Sequence, residues 1–259
     1  MSAVFESLPS APSSAIAASS AVMTITDAIP KSASSRCSNC AMRAVCMPAD
    51  LTTSELTQLD SLIYSTRAVK RGETLYRSND DFRSLYAVRT GSFKTVITDR
   101  DGGEQVTAFH LVGETLGLDG VCSEHYHSDA VALEDSSVCI IPFRLLEGMC
   151  RQVPAMQHHV HRMMSTEIVR ESAIMMLLGA RNAEQKLAAF LLNLSTRMKL
   201  RGYSASEFYL RMTREEMGSY LGMKLETVSR MFSKFQRDGI VDTRGKQIRI
   251  VDFKRLEQL

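Results

Sequence analysis

The chain has 259 residues, 44% of them apolar, with 31 Lys and Arg against 29 Asp and Glu. That length suits two compact domains with real cores, and no apolar run approaches the ~18 residues of a membrane span. The first residues lack a basic segment followed by an apolar core, so no secretory signal is expected and the cytoplasm is the expected compartment.

The net charge of +2 is unevenly spread. Residues 184–259 carry 15 Lys and Arg against 9 Asp and Glu, a net of +6, and the remainder is slightly acidic. A basic end on an acidic body points to nucleic acid at that end, or else to a solvated basic face. Six cysteines in a reducing compartment are expected to be free for metal or redox chemistry rather than disulfides.

In chain order, residues 1–35 are mostly Ser, Ala, Thr and Pro. They bury too little to offset the entropy of ordering, so disorder is expected. Cys37, Cys40 and Cys46 follow in close succession. A 4Fe–4S cluster or a tetrahedral zinc needs four thiolates. The fourth must come from Cys122, Cys139 or Cys150; the spacing does not choose among them, nor between iron–sulfur and zinc. Thr53–Asp60 has apolar residues at helical spacing behind a Thr/Ser start, which predicts a short helix.

From about residue 64 to Phe143 the period changes. Short β-rich runs at Thr74–Arg77, Ser84–Arg89, Phe93–Ile97, Gln105–Phe109, Asp129–Leu133 and Val138–Ile141 are punctuated by glycines such as Gly72, Gly91 and Gly113. Many short strands at near-regular spacing predict an antiparallel barrel or sandwich.

Pro154 suits the first turn of a helix whose apolar periodicity runs to about Leu178, with Gly179 as its end. His161, Met164, Ile168, Glu171, Met175 and Leu178 alternate by three and four, a seam that suits a coiled-coil-like dimer contact. The alternative is a helix packed on its own barrel. His158, His159 and His161 fall on this helix and read as a solvated face rather than a metal site. Asn182-Ala-Glu-Gln185 is a capping box opening a helix to about Met198.

Thr213-Arg-Glu-Glu216 is another capping box, followed by a short helix, Gly222, and a second helix from Leu225 that ends near Gly239. Two short helices about a Gly turn predict a helix-turn-helix, with Met217, Leu221, Val228, Met231, Phe232 and Phe235 as its core. Ile240-Val241 and Ile248–Val251 flank Arg244-Gly-Lys246 as the hairpin of a winged helix. Glu226, Ser229 and Arg230 share one face of the second helix. Arg can donate twice to guanine, Glu can accept from cytosine N4, and Ser is tolerant, so the trio suits base edges of double-stranded DNA. Lys224, Lys234, Arg237, Arg244 and Lys246 are candidates for phosphate contacts. The competing reading is an ordinary helix on which Glu226 and Arg230 pair with each other.

Leu225-Glu-Thr-Val-Ser-Arg230 resembles the recognition helix of the cyclic-AMP receptor superfamily, and its Glu-x-x-Ser-Arg resembles the FNR branch, the fumarate and nitrate reductase regulators. Leu85–Gly91, Phe109–Gly113, Cys139–Phe143 and Asn182–Phe190 also resemble family blocks. The resemblance implies an α+β chain: a cluster-binding segment and β-roll sensor domain over 36–153, a dimerisation helix over 154–181, and a winged helix-turn-helix over 182–259. It implies a homodimer on TTGAT-type palindromes, with Glu226, Ser229 and Arg230 as base readers. It makes Cys139 the fourth ligand beside Cys37, Cys40 and Cys46 of an oxygen-sensing 4Fe–4S cluster shielded by Val45; Cys122 and Cys150 match no family block and read as small buried hydrophobes. It also implies that the polar loop Thr98–Glu104 touches RNA polymerase, the alternative being a plain exposed hairpin. Lys224 departs from the family, which often has Thr there, so a helix cap is expected to be lost.

Two other functions fit less well. The superfamily's nucleotide binders grip the cyclic phosphate with an Arg-Ser pair, whereas Tyr126-His-Ser-Asp129 has no Arg. No nucleophile or metalloprotease motif is present, so the chain reads as a regulator and not an enzyme. The alternative kept is a regulator of the same fold with a structural zinc or a small-molecule effector.

Overall fold

The computed structural model describes residues 36–63, 65–99 and 101–259, so the Ser/Ala-rich head lies outside the described residues. After a tight turn at Cys37–Asn39 come α1 (Arg43–Cys46) and α2 (Thr53–Leu62). A capping box starts α2: Thr52 Oγ1 accepts from the Glu55 N–H, and the Thr52 N–H donates to Glu55 Oε2 at 2.7 Å. The caps are set by Thr52, one residue before the predicted start.

Eight strands then form two antiparallel sheets. They are β1 (Ser65–Val69), β2 (Thr74–Tyr76), β3 (Ser84–Thr90), β4 (Ser92–Thr98), β5 (Glu104–Leu111), β6 (Thr115–Leu116), β7 (Asp129–Ala132) and β8 (Ser136–Pro142). One sheet has the order β1-β8-β3-β6 and the other β2-β7-β4-β5. Between them pack Val69, Leu75, Tyr76, Val88, Phe93, Leu116, Tyr126 and Val138. Successive side chains point to opposite faces, so in β3 Val88 enters this core while Leu85 and Ala87 enter the one beneath the helices.

α3 (Phe143–Gln152) leads into α4 (Pro154–Ala180), a 27-residue helix with Pro at its first turn. A second core joins Leu59, Ile63, Leu85, Ile141, Leu146, Met149, Met156 and Val160, which seats α2, α3 and the start of α4 on the roll. α5 (Ala183–Leu200) opens on the Asn182–Gln185 capping box. Then come β9 (Glu207–Tyr209), α6 (Arg214–Leu221), α7 (Leu225–Arg237), β10 (Val241–Arg244), β11 (Gln247–Ile250) and α8 (Phe253–Glu257). The wing is three-stranded, in the order β10-β11-β9, rather than the expected two-stranded hairpin.

A third core unites the roll with the C-terminal helices. Val106, Phe109 and Leu111 of β5 pack with Leu187, Phe190, Leu191 and Leu194 of α5 and with Val228, Phe232 and Phe235 of α7. Polar ties run along this seam: Lys94 Nζ to Glu216 Oε1 at 2.9 Å, and the Val106 N–H to Ser219 Oγ at 2.8 Å.

Candidate DNA interface and cysteine centre

Local chemistry builds the helix-turn-helix. Gly222 closes α6 at φ +60, a left-handed position that favours glycine. A Cβ on Gly218 would lie 2.5 Å from the Met223 carbonyl oxygen, so the turn closes only over glycine there. Met217, Leu221, Val228, Phe232 and Phe235 are buried and Met231 is half-buried.

On α7, Glu226 and Arg230 are exposed and Ser229 is half-buried. Among the described residues Glu226 and Arg230 form no ion pair with each other; Arg230 Nη2 donates to Thr227 Oγ1 at 3.2 Å instead. Lys224 stands at the N-cap without a side-chain cap bond and is exposed. The other expected phosphate contacts have intramolecular partners. Lys234 Nζ meets Glu184 Oε2 at 2.6 Å, Lys246 Nζ donates to the Arg211 carbonyl at 3.1 Å, and Arg237 and Arg244 lie 3.9 and 3.7 Å from Asp238 and Asp242. One cation escaped the sequence pattern. Arg214 lies 3.3 Å over the Phe232 ring, its Nη1 is buried without a hydrogen-bond partner, and burial lowers its pKa to about 10.

Cys37, Cys40 and Cys46 sit on the first turn and α1; Cys139 sits mid-strand in β8, opposite Thr66 and Ala87. Burial pushes the Cys37 thiol up to about 12, and the charges of Cys139, Asp60, Cys40 and Cys46 push the same way. The Cys46 thiol also rises to about 12, from burial first and then Cys40 and Cys139, with Arg201 opposing. Cys139 is raised by burial, and Cys40 adds to this while Arg89 opposes. Cys37, Cys46 and Cys139, from two distant segments, pack in the same core. They are neighbours rather than a closed cage: among the described residues no three His, Cys, Asp or Glu are gathered to hold a metal ion.

The loop carrying the first three cysteines is pinned on several sides. The Ser38 N–H and Oγ–H donate to Asp60 at 3.1 and 2.6 Å. His159 Nε2 of α4 donates to the Cys46 carbonyl at 2.8 Å, so His159 is not part of a solvated face. Gly113, at φ +85, faces Val45: a Cβ there would lie 2.7 Å from Val45 Cγ1 and 3.5 Å from Cys46 Sγ. Cys122 is exposed rather than buried, with its Sγ 3.9 Å from His127 Nε2, and Cys150 is half-buried beside Glu147.

Along α4, Ile168 is 63% and Met175 68% exposed; Leu178, Glu171 and His161 are exposed and Met164 is half-buried. Val169 and Met176, also exposed, widen this apolar stripe beyond the predicted seam.

The whole assembly has known counterparts. Residues 185–259 match the Crp-like helix-turn-helix domain and residues 66–153 the cyclic nucleotide-binding domain. The chain is 46% identical to the transcriptional regulatory protein btr of Bordetella pertussis over 86% of this chain and 92% of that one. It is 41% identical to the fumarate and nitrate reduction regulatory protein of Escherichia coli K12, over 86% and 89%. The chain belongs to the FNR branch of the Crp/FNR family. This FNR-type protein is thus a DNA-binding transcription regulator and not an enzyme. Its fold is similar to FixK2 of Bradyrhizobium japonicum, with a TM-score of 0.69 at 30% identity over 75% of this chain and 96% of that one. Among its described residues no helix is long and apolar enough to cross a membrane.

Proposed function

We propose that this FNR-type regulator is a cytoplasmic oxygen sensor. Cys37, Cys40, Cys46 and Cys139 hold a 4Fe–4S cluster that promotes homodimerisation and binding to TTGAT-type palindromes without oxygen and is lost in its presence. The observation that carries this reading is geometric: Cys37 and Cys46 of the N-terminal segment and Cys139 of β8 pack in one buried core, and Cys40 lies on the turn between the first two. The donor set fits: soft thiolates suit iron–sulfur centres, and the cluster supplies positive iron that stabilises thiolates which burial alone disfavours.

The chain's own residues do the rest. Shared ligation ties the Cys37–Cys46 loop to β8, and His159 ties that loop to α4. The exposed stripe from His161 to Leu178 is the seam on which a second copy docks. Glu171 falls in that seam, so two carboxylates meet across the dyad and hold the dimer near its limit of stability. Two winged helices one helical turn apart then read the half-sites. Arg230 donates to guanine, Glu226 accepts from cytosine, Ser229 supports both, and Lys224 meets phosphate. Lys234 does so only after leaving Glu184. The loop Thr98–Glu104 faces RNA polymerase.

A cyclic-nucleotide effector is disfavoured. Tyr126-His-Ser-Asp129 offers a phosphate no Arg, and Ser128 Oγ–H already donates to Asp119 Oδ2 at 2.8 Å.

Gel-shift assays on a TTGAT palindrome, with and without air, test the reading. Wild type is expected to bind only without air, and Cys139→Ser under neither condition. Air-independent binding by wild type, or full binding by Cys139→Ser, contradicts it.

A further inference from the structure

The turn Val112–Gly113–Glu114, between β5 and β6, has two working faces. On one, Gly113 lacks a side chain where Val45 and Cys46 press in. On the other, the turn grips α5. The Val112 carbonyl accepts from Arg201 Nε at 2.5 Å. Glu114 Oε1 accepts from Arg201 Nη2 at 2.6 Å and from Arg197 Nε at 3.0 Å, and Oε2 accepts from Arg197 Nη2 at 2.5 Å. Arg170 of α4 approaches the same carboxylate at 3.8 Å. The Glu114 and Arg201 side chains are only 11% and 4% exposed, so the pairing is hardly weakened by water.

The Glu114 carboxylate thus joins the β5–β6 turn to both α4 and α5. α5 shares its core with α7, through Leu187, Phe190, Leu191 and Leu194 against Val228, Phe232 and Phe235. Arg197 and Arg201 lie at the end of the helix that packs on α7. The turn itself is anchored to β3 by the Gly113 N–H on Val88 O at 2.8 Å and by the Val88 N–H on Glu114 O at 2.9 Å. The turn thus touches the cysteine loop through Gly113 and the end of α5 through the Glu114 side chain and the Val112 carbonyl.

We propose that Glu114 is the positioning residue that carries the state of the cysteine centre to the winged helix, by seating Arg197 and Arg201 against the turn on which Val45 and Cys46 pack. The proposal rests on the cluster reading above. It makes α5 a second output of the sensor, separate from the dimer seam of α4.

The test uses full-length protein purified without oxygen, with iron and sulfide assayed on the same sample. Hydrogen exchange is followed in segments 36–47 and 187–201 before and after air. In wild type, air is expected to speed exchange in both segments, by about tenfold or more. Glu114→Gln is expected to keep its iron and sediment as a dimer, and its 36–47 segment still responds to air. Its 187–201 segment exchanges fast from the start and no longer responds. Should that variant fail to fold, Arg201→Lys, which keeps the charge but loses the bond to the Val112 carbonyl, is read in the same way. Iron-free wild type overturns the cluster reading and the proposal together. An iron-loaded variant whose 187–201 segment responds to air as wild type does overturns the proposal alone.

Discussion

His159 and Cys46 are joined directly: the imidazole Nε2–H on α4 donates to the carbonyl of the last cysteine of the N-terminal trio at 2.8 Å. The element that carries the dimer stripe is thus tied to the cysteine loop by a half-buried bond, at a position the sequence pattern assigned to solvent. A neutral hydrogen bond of this kind contributes about 0.5–1.5 kcal/mol net. His159→Leu is expected to loosen the loop, so that the visible absorbance of anaerobically prepared protein bleaches several-fold faster in air. Bleaching at the wild-type rate contradicts this role.

Glu114 sets a pH dependence. Burial opposes its charge, but Arg197, Arg170 and Arg201 outweigh burial and hold its carboxyl at about 2. A carboxyl lowered in the folded state stabilises it fully above the unfolded value, about 4.3. That stability is lost as pH falls from there through about 2. Replacing one partner of a buried pair costs about 3–5 kcal/mol, so Glu114→Gln is expected to lose about that much at pH 7. The gap between variant and wild type should shrink below about pH 4, measured by urea unfolding of cluster-free protein. A gap that stays constant with pH contradicts the assignment.

Glu171 is expected to limit the dimer. Two carboxylates about 4 Å apart across a dyad repel by about 1 kcal/mol in water-like surroundings and by more where water is excluded. Glu171→Ala is expected to sediment as a dimer even in air. A variant that is still monomeric in air removes Glu171 from the switch.

Lys224 pulls in two directions. It leaves α7 without a side-chain cap, so Lys224→Thr should raise the unfolding free energy by about 0.5–2 kcal/mol. The same change should lower the salt slope of DNA binding by about 1 if Lys224 meets a phosphate. Arg230→Ala, in contrast, should relax preference at one G·C pair by about 1–3 kcal/mol. Titrations at several salt concentrations separate the two; an unchanged slope for Lys224→Thr returns this lysine to the solvated surface.

What was legible in the sequence was local. Asn182–Gln185 and Thr213–Glu216 announce their helices because a cap is written within four residues, and Gly222 marks the turn because only its backbone is at ease at positive φ. The stretch Phe143–Gln152 carries no local sign of α3, since it follows Pro142 of β8 without a cap and holds Gly148. Thr115–Leu116 is too short for any period to show. Contacts between distant segments left no local trace. Lys234 and Glu184 are 50 residues apart, and Glu114 and Arg197 are 83 apart. Spacing alone could not pick Cys139 over Cys122 or Cys150 either, because what brings β8 and the Cys37–Cys46 segment into one core is the packing of elements far apart in sequence.

The central claim, that these four thiols hold iron and sulfide, is tested most directly by assaying protein purified under strict exclusion of air for iron, acid-labile sulfide and zinc. The account predicts about four irons and four sulfides per chain with little zinc, and their loss on exposure to air. Stoichiometric zinc with no sulfide, or colourless metal-free protein, would contradict it.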